Sequence, residues 1–242
     1  MYDEMNNRRT TGILSIFCAI FYIVVGITHF LMPPEQLHFS HGASAEFFVS
    51  VAKGAIAFHI HYWAFVVASL LAVGVVCGIR IGEKRSLWFR FVRTLAIIGL
   101  ALTAIDFARM HAQAIRFAGK YLNASPVLKV VIIGRGIDRL DAYGLSFSML
   151  GLWLLTISYG ALRVRKWPGW IALIGIFNGI LLQFVLVGTV THSGPLIDIA
   201  AGLGGVVVTP ILFIGIGAIH LRKIKDASSK LTDVESEDYH KL

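Results

Sequence analysis

Charge is what this chain has least of. Asp, Glu, Lys and Arg make up 15% of its 242 residues, against 56% that are hydrophobic, and the mean hydropathy is +0.73. A water-soluble chain of this length does not carry so much apolar surface, so that class is excluded. The apolar runs also lack any alternation of period two, which argues against a transmembrane barrel. Helices remain, the other structure whose backbone groups satisfy one another without water. Cysteine is reduced to Cys18 and Cys77. The two fall in different apolar runs at differing depths, so neither a structural disulfide nor a thiolate metal site is expected. Both read as small apolar core residues. No lysine lies inside any apolar run long enough to span, which disfavours a retinal-type Schiff base. No A-x-A site precedes Pro33, and the first run exceeds a typical signal-peptide core, so a cleaved leader is not expected.

What is present is six long apolar stretches, at residues 11–32, 55–79, 87–109, 140–162, 168–190 and 197–220. Each reaches or approaches the ~20 residues a helix needs to cross a hydrocarbon core about 30 Å thick. The expected fold is therefore all-α: an integral membrane bundle of six transmembrane helices in one domain, residues 1–225. A polar tail follows, residues 226–242, expected to be mobile and cytoplasmic. Basic residues set the orientation. Arg8 and Arg9 precede the first stretch. Arg80, Lys84, Arg85, Arg90 and Arg93 follow the second, and Arg163, Arg165 and Lys166 follow the fourth. Arg222, Lys223, Lys225, Lys230 and Lys241 end the chain. These segments hold most of the 22 basic residues, so both termini are expected in the cytoplasm. The +8 net charge is mostly this topological signal, and nucleic acid is not an expected partner. The lipid bilayer is, with other membrane subunits or a second copy of the chain left open.

Two loops on the opposite side are long. Residues 33–54 carry Glu35, His38, His41 and Glu46, then an amphipathic piece, Ala45–Lys53, which Ser44 is placed to cap as an interfacial helix. Residues 111–139 carry Arg116, Lys120, Lys129, Arg135 and Arg139 around an apolar run, 127–133. That run is too short to span and is expected to rest on or dip into the outer leaflet. Within the membrane, Gly175 with Gly179 and Ala201 with Gly205 have the small-xxx-small spacing of close helix contacts. Pro210 should kink the sixth helix.

The informative pattern is one of depth. All six helices deliver ionisable residues to the same extracytoplasmic end: His29; His59 and His61; Asp106, Arg109 and His111; Asp138 and Asp141; His192; and Asp198. Interfacial polar residues are inexpensive and can simply mark helix ends. That reading is weaker for Asp106, His59 and His61, which apolar residues flank closely. Asp106 and Arg109, three apart, can pair on one face. Asp138 and Asp141 share a face continuing to Ser148, and Thr103, Asp106 and Gln113 make a similar stripe on span three. His59 and His61, two apart, point about 200° from each other and do not readily chelate one ion together. A metal site must therefore be assembled between helices from His29, one of His59 and His61, His111, and Asp106 or Asp141. Imidazole with carboxylate suits Zn, Cu, Fe or Mn. Bis-histidine haem on facing helices is a less favoured arrangement. An anionic or lipid headgroup is a second candidate ligand, met by Arg109, Arg116, Lys120, Arg135 and Arg139. For a small polar ligand the candidate contacts are Arg109, Asp138 and Gln183. Asn178 and Gln183 extend polarity deeper, as pathway-lining groups do, but no repeated half with matching broken helices supports transport.

Four short motifs carry a resemblance. Arg8-Arg9 precedes span one, Phe89-Arg90-Phe91-Val92 opens span three, Asp141-Ala142-Tyr143-Gly144 opens span four and Trp167-Pro168-Gly169-Trp170 opens span five. Together they resemble an uncharacterised family of bacterial six-span membrane proteins, a domain of unknown function. The resemblance implies six helices in a bacterial inner membrane and implies no activity. The histidines of spans one and two are not part of it. The expected function is binding of a metal ion or small polar ligand in an extracytoplasmic-facing cavity, alone or as a subunit of a complex. One alternative is a metal-assisted enzyme acting on a lipid or hydrophobic substrate at the outer leaflet. There His59 or His61, His111 and Asp106 would bind metal, and Asp141 would act as general base. The other is a structural scaffold without chemistry.

Overall fold

A computed structural model of the chain describes residues 2–37, 43–79, 81, 86–142 and 144–222. The tail 226–242, expected to be mobile, lies outside the described residues, as do His38, His41, Arg80, Lys84 and Arg85. The described residues form helices and no strand: α1 (Tyr2–Leu31), α2 (Pro34–Leu37), α3 (Ala45–Lys53), α4 (Ile56–Gly78), α5 (Leu87–Leu122), α6 (Pro126–Arg135), α7 (Leu145–Arg163), α8 (Gly169–Val190) and α9 (Gly194–Arg222). Six of these, α1, α4, α5, α7, α8 and α9, are long and apolar enough to cross a membrane. The chain is a multi-pass membrane protein.

Each of the six packs on its neighbour in sequence, α1 on α4, α4 on α5, α5 on α7, α7 on α8 and α8 on α9, and α9 returns to α1. The result is a closed ring whose core draws on every span: Tyr22, Ala72, Ala96, Trp153, Leu182 and Phe213 are all buried in one cluster. The large apolar residues that remain exposed, among them Ile20, Leu70, Ile98, Leu173 and Ile211, lie around the outside of the ring. A water-soluble protein would not leave such a belt uncovered, whereas acyl chains cover it without cost.

Small residues set the contacts, as their spacing suggests. Gly179 of α8 faces Gly151 of α7, and Gly175 faces Ser158. The Ala201–Gly205 pair does not mark a contact, because the space beside Gly205 is open and Gly204 is the glycine that meets α8, at Asn178 and Leu181. The cause is a change of helix type. Over Gly202–Val208 the turn widens to a π-helix, and the Thr209 N–H reaches back five residues to the Gly204 carbonyl. The Thr209 hydroxyl donates to that same carbonyl at 2.8 Å and accepts from Asn178 Nδ2 at 2.8 Å. Pro210, which follows, has no N–H and clashes with a carbonyl four residues back. The wider turn ahead of it accommodates the proline that the sequence placed in mid-span.

The third span departs most from expectation. It was expected to end at residue 109, yet α5 continues to Leu122, which makes it about 54 Å long against a hydrocarbon core of about 30 Å. The extension has its own reason. Met110, Ala114, Phe117, Ala118 and Tyr121 recur at helical spacing and are all buried, against α3 on one side and Ile132 of α6 on another. α3 forms as expected: the Ser44 hydroxyl accepts from Phe47 N at 3.1 Å, and Gly54 ends the helix. The Glu46 carboxyl is held below the usual range by its own backbone N–H and then by the Ser44 hydroxyl. It is therefore ionised near a helix N-terminus, where negative charge is favoured. α2, α3, the end of α5 and α6 thus build a second apolar core stacked on one end of the bundle. Phe48, fully buried, stacks on Tyr121 at 5.5 Å. Phe48→Ala should cost about 3–5 kcal/mol within this cap. Hydrogen exchange should then accelerate in α3 and at the end of α5, with the spans unchanged.

Candidate functional site

The cap and the bundle meet at the histidines. On α4, His59 and His61 point to opposite sides, as their spacing requires, and each finds a partner on a different helix. His59 Nδ1 lies 2.7 Å from His111 Nε2 on α5. His61 turns to α1, where its Nδ1 proton goes to the Val25 carbonyl at 3.1 Å with Thr28 Oγ1 3.2 Å away. In the neutral ring this leaves Nε2 as the lone-pair nitrogen. The His61 ring lies 5.9 Å from that of His29, which is exposed at the end of α1. The described residues hold no group of three His, Cys, Asp or Glu that would close around one ion. The set expected to converge is instead divided into His59 with His111 and His61 with His29.

The His59–His111 pair is half-buried, and its surroundings are aromatic. The rings of Trp63, Phe58 and Tyr62 lie 5.8, 6.1 and 6.2 Å from that of His111. At 2.7 Å only one proton fits between the two nitrogens, so one imidazole donates and the other accepts. His59 was within reach of sequence reasoning. The sequence set His111 with one of His59 and His61 but did not say which, because nothing local registers two helices 52 residues apart.

The carboxylates are engaged with backbone. Asp106, buried on α5, accepts from Leu140 N at 2.6 Å, and Gln113 two turns on accepts from Asp138 N at 3.0 Å. The stripe expected on span three is thus a latch that holds the loop before α7. Arg109 pairs with Asp138 at 3.7 Å rather than with Asp106. Both side chains of that pair are nearly half exposed, and it contributes at most about 1 kcal/mol. The shared face expected for Asp138 and Asp141 does not form, because α7 begins at Leu145 and both residues precede it. Asp141 caps that helix from below: its two oxygens accept from Leu145 N and Ser146 N, each at 2.8 Å, and from the Ser146 hydroxyl. Those three contacts place Asp141 as a cap for α7. Gln183 is likewise satisfied within the protein. Its amide donates to the Ser148 carbonyl at 2.8 Å and accepts from the Ser148 hydroxyl, tying α8 to α7. His192, at the turn between α8 and α9, and Asp198, in the second turn of α9, are exposed and take no part in the cluster.

The chain therefore presents two kinds of polar residue at this end. Asp106, Gln113, Asp141 and Gln183 position backbone and helices, and among the described residues at this end the histidines are the ones that offer nitrogen lone pairs. Compared with family models, with curated proteins and with solved structures, the chain matches none.

Proposed function

We propose that this chain is a bacterial inner-membrane protein, with both termini cytoplasmic, that holds a transition-metal ion at the His59–His111 pair facing the extracytoplasmic side. The observation that carries the reading is the 2.7 Å approach of His59 Nδ1 to His111 Nε2 from two different spans. Two nitrogens bound to a tetrahedral ion at about 2.0–2.1 Å stand about 3.3 Å apart, so opening the pair by roughly 0.6 Å turns a shared proton into a shared metal. Rotation of the two half-buried rings would supply that. The protein donates two ligands, which leaves the remaining positions to water, a small polar ligand or a partner subunit, as in sites that bind or act rather than staple a fold. Zn, Cu, Fe and Mn all accept imidazole. The orientation rests on the basic residues at the opposite ends of the spans.

Thermal unfolding in mild detergent tests the site. An ion at a hundred times its Kd should stabilise the wild type by about 2.7 kcal/mol. The increment should vanish in His59→Ala and in His111→Ala and persist in His61→Ala. An equal increment in all three variants would place the ion elsewhere. No increment with any of the four metals would leave the pair as a proton-sharing strut between α4 and α5.

A further inference from the structure

At the opposite end of the bundle a cleft of about 730 Å³ opens between the first turn of α5, the last three turns of α7 and α8. Its walls are Trp88, Phe89, Thr156, Tyr159 and Gly160, and Arg163 stands at its end. The hollow follows from local sequence. Gly160 is buried with no side chain, and the Phe89 ring packs so closely over it that a Cβ there would lie 3.0 Å from the ring. Tyr159, Val164 and Trp88 remain 61%, 62% and 48% exposed beside it, so the cleft faces outward from the ring of helices.

We propose that this cleft binds one anionic phospholipid, with an acyl chain along its apolar wall and the phosphate on Arg163. Depth supports the assignment. From Leu155 to Val164 the cleft follows α7 for about 14 Å, which is about one leaflet of a core about 30 Å thick, and it ends where the span ends. Trp88 and Tyr159 are the residue types that sit at headgroup level. Arg163 is exposed in the last turn of α7, and its planar guanidinium matches a phosphate with two parallel hydrogen bonds. Basic pockets between spans have this use, whereas apolar walls hold water poorly. The proposal requires only that α5, α7 and α8 span the membrane and is independent of the metal site.

The test is native mass spectrometry of delipidated protein in mild detergent, with phosphatidylglycerol or phosphatidylethanolamine added. The wild type should retain phosphatidylglycerol about tenfold better, because both lipids offer Arg163 a phosphate but the ammonium of phosphatidylethanolamine opposes the arginine charge. Arg163→Gln should erase that preference, and Thr156→Trp, which fills the cleft, should reduce retention of both lipids. Arg163→Gln alters an exposed side chain and keeps the test decisive even if the tryptophan variant does not fold. Equal retention by wild type and Arg163→Gln would overturn the proposal. So would displacement of the lipid by free glycerol phosphate, or a lipid-free dimer as the dominant species.

Discussion

Gly179→Leu is expected to leave no folded, monodisperse protein in detergent. A Cβ at Gly179 would lie 2.8 Å from the Gly151 carbonyl oxygen and 3.0 Å from Leu155 N, both backbone atoms that no rotamer change can move. The contact is reciprocal, since a Cβ at Gly151 would lie 2.9 Å from the Gly179 carbonyl oxygen. α7 and α8 must therefore separate along their length to admit any side chain. Overpacking a core by a methylene or two costs about 1–3 kcal/mol. A leucine against backbone exceeds the 4–5 kcal/mol that marks exceptional substitutions, a large part of the 5–15 kcal/mol that holds a typical domain. Gly179→Ala should fold but melt lower. Gly119→Ala is the control. It sits on α5 with nothing within 4 Å of the added carbon, and alanine there should raise stability by about 0.5–1 kcal/mol. Size-exclusion profiles and melting curves of the three variants decide the matter. A well-folded Gly179→Leu protein would mean that α7 and α8 do not meet at these glycines.

The second large effect is expected at Asp141. Its removal in Asp141→Ala strands two backbone N–H groups and the Ser146 hydroxyl at the start of α7, in a place that is 5% exposed. Losing a cap costs about 1 kcal/mol, and burying donors without partners adds about 1–3 kcal/mol. The sum, about 2–4 kcal/mol, should appear as a lower melting temperature and as faster hydrogen exchange over residues 145–148. Asp141→Asn keeps one acceptor but sets an NH₂ group against donors, and should lose about half as much. If neither variant lowers stability while metal-dependent behaviour is lost, Asp141 belongs to the site rather than to the helix cap.

Hydropathy alone showed the six spans, because an apolar run of helical length has only one use in this composition. It did not show where α5 ends. Beyond Arg109 the chain gains His111, Gln113, Arg116 and Lys120, which lowers mean hydropathy while the buried positions Met110, Ala114, Phe117, Ala118 and Tyr121 keep the helical period. A periodicity reading rather than an average would have extended the helix. The same average began span four at residue 140, some five residues early, and so set Asp141 on a helix with Asp138 just ahead of it. Depth gathered His29, His59, His61 and His111 at one end, and spacing separated His59 from His61. The choice of partners, His111 for one and His29 for the other, is a property of how α1, α4 and α5 dock, which no short motif records. The cleft beside Gly160 left even less trace, since it depends on an absent side chain and on a ring from another helix.

The measurement that tests the central claim most directly is elemental analysis by mass spectrometry. It compares protein purified in detergent without chelators with the His59→Ala/His111→Ala double variant. The account predicts near-stoichiometric Zn, Cu, Fe or Mn in the wild type and background levels in the variant. The same metal content in both, or none above background in either, would contradict it.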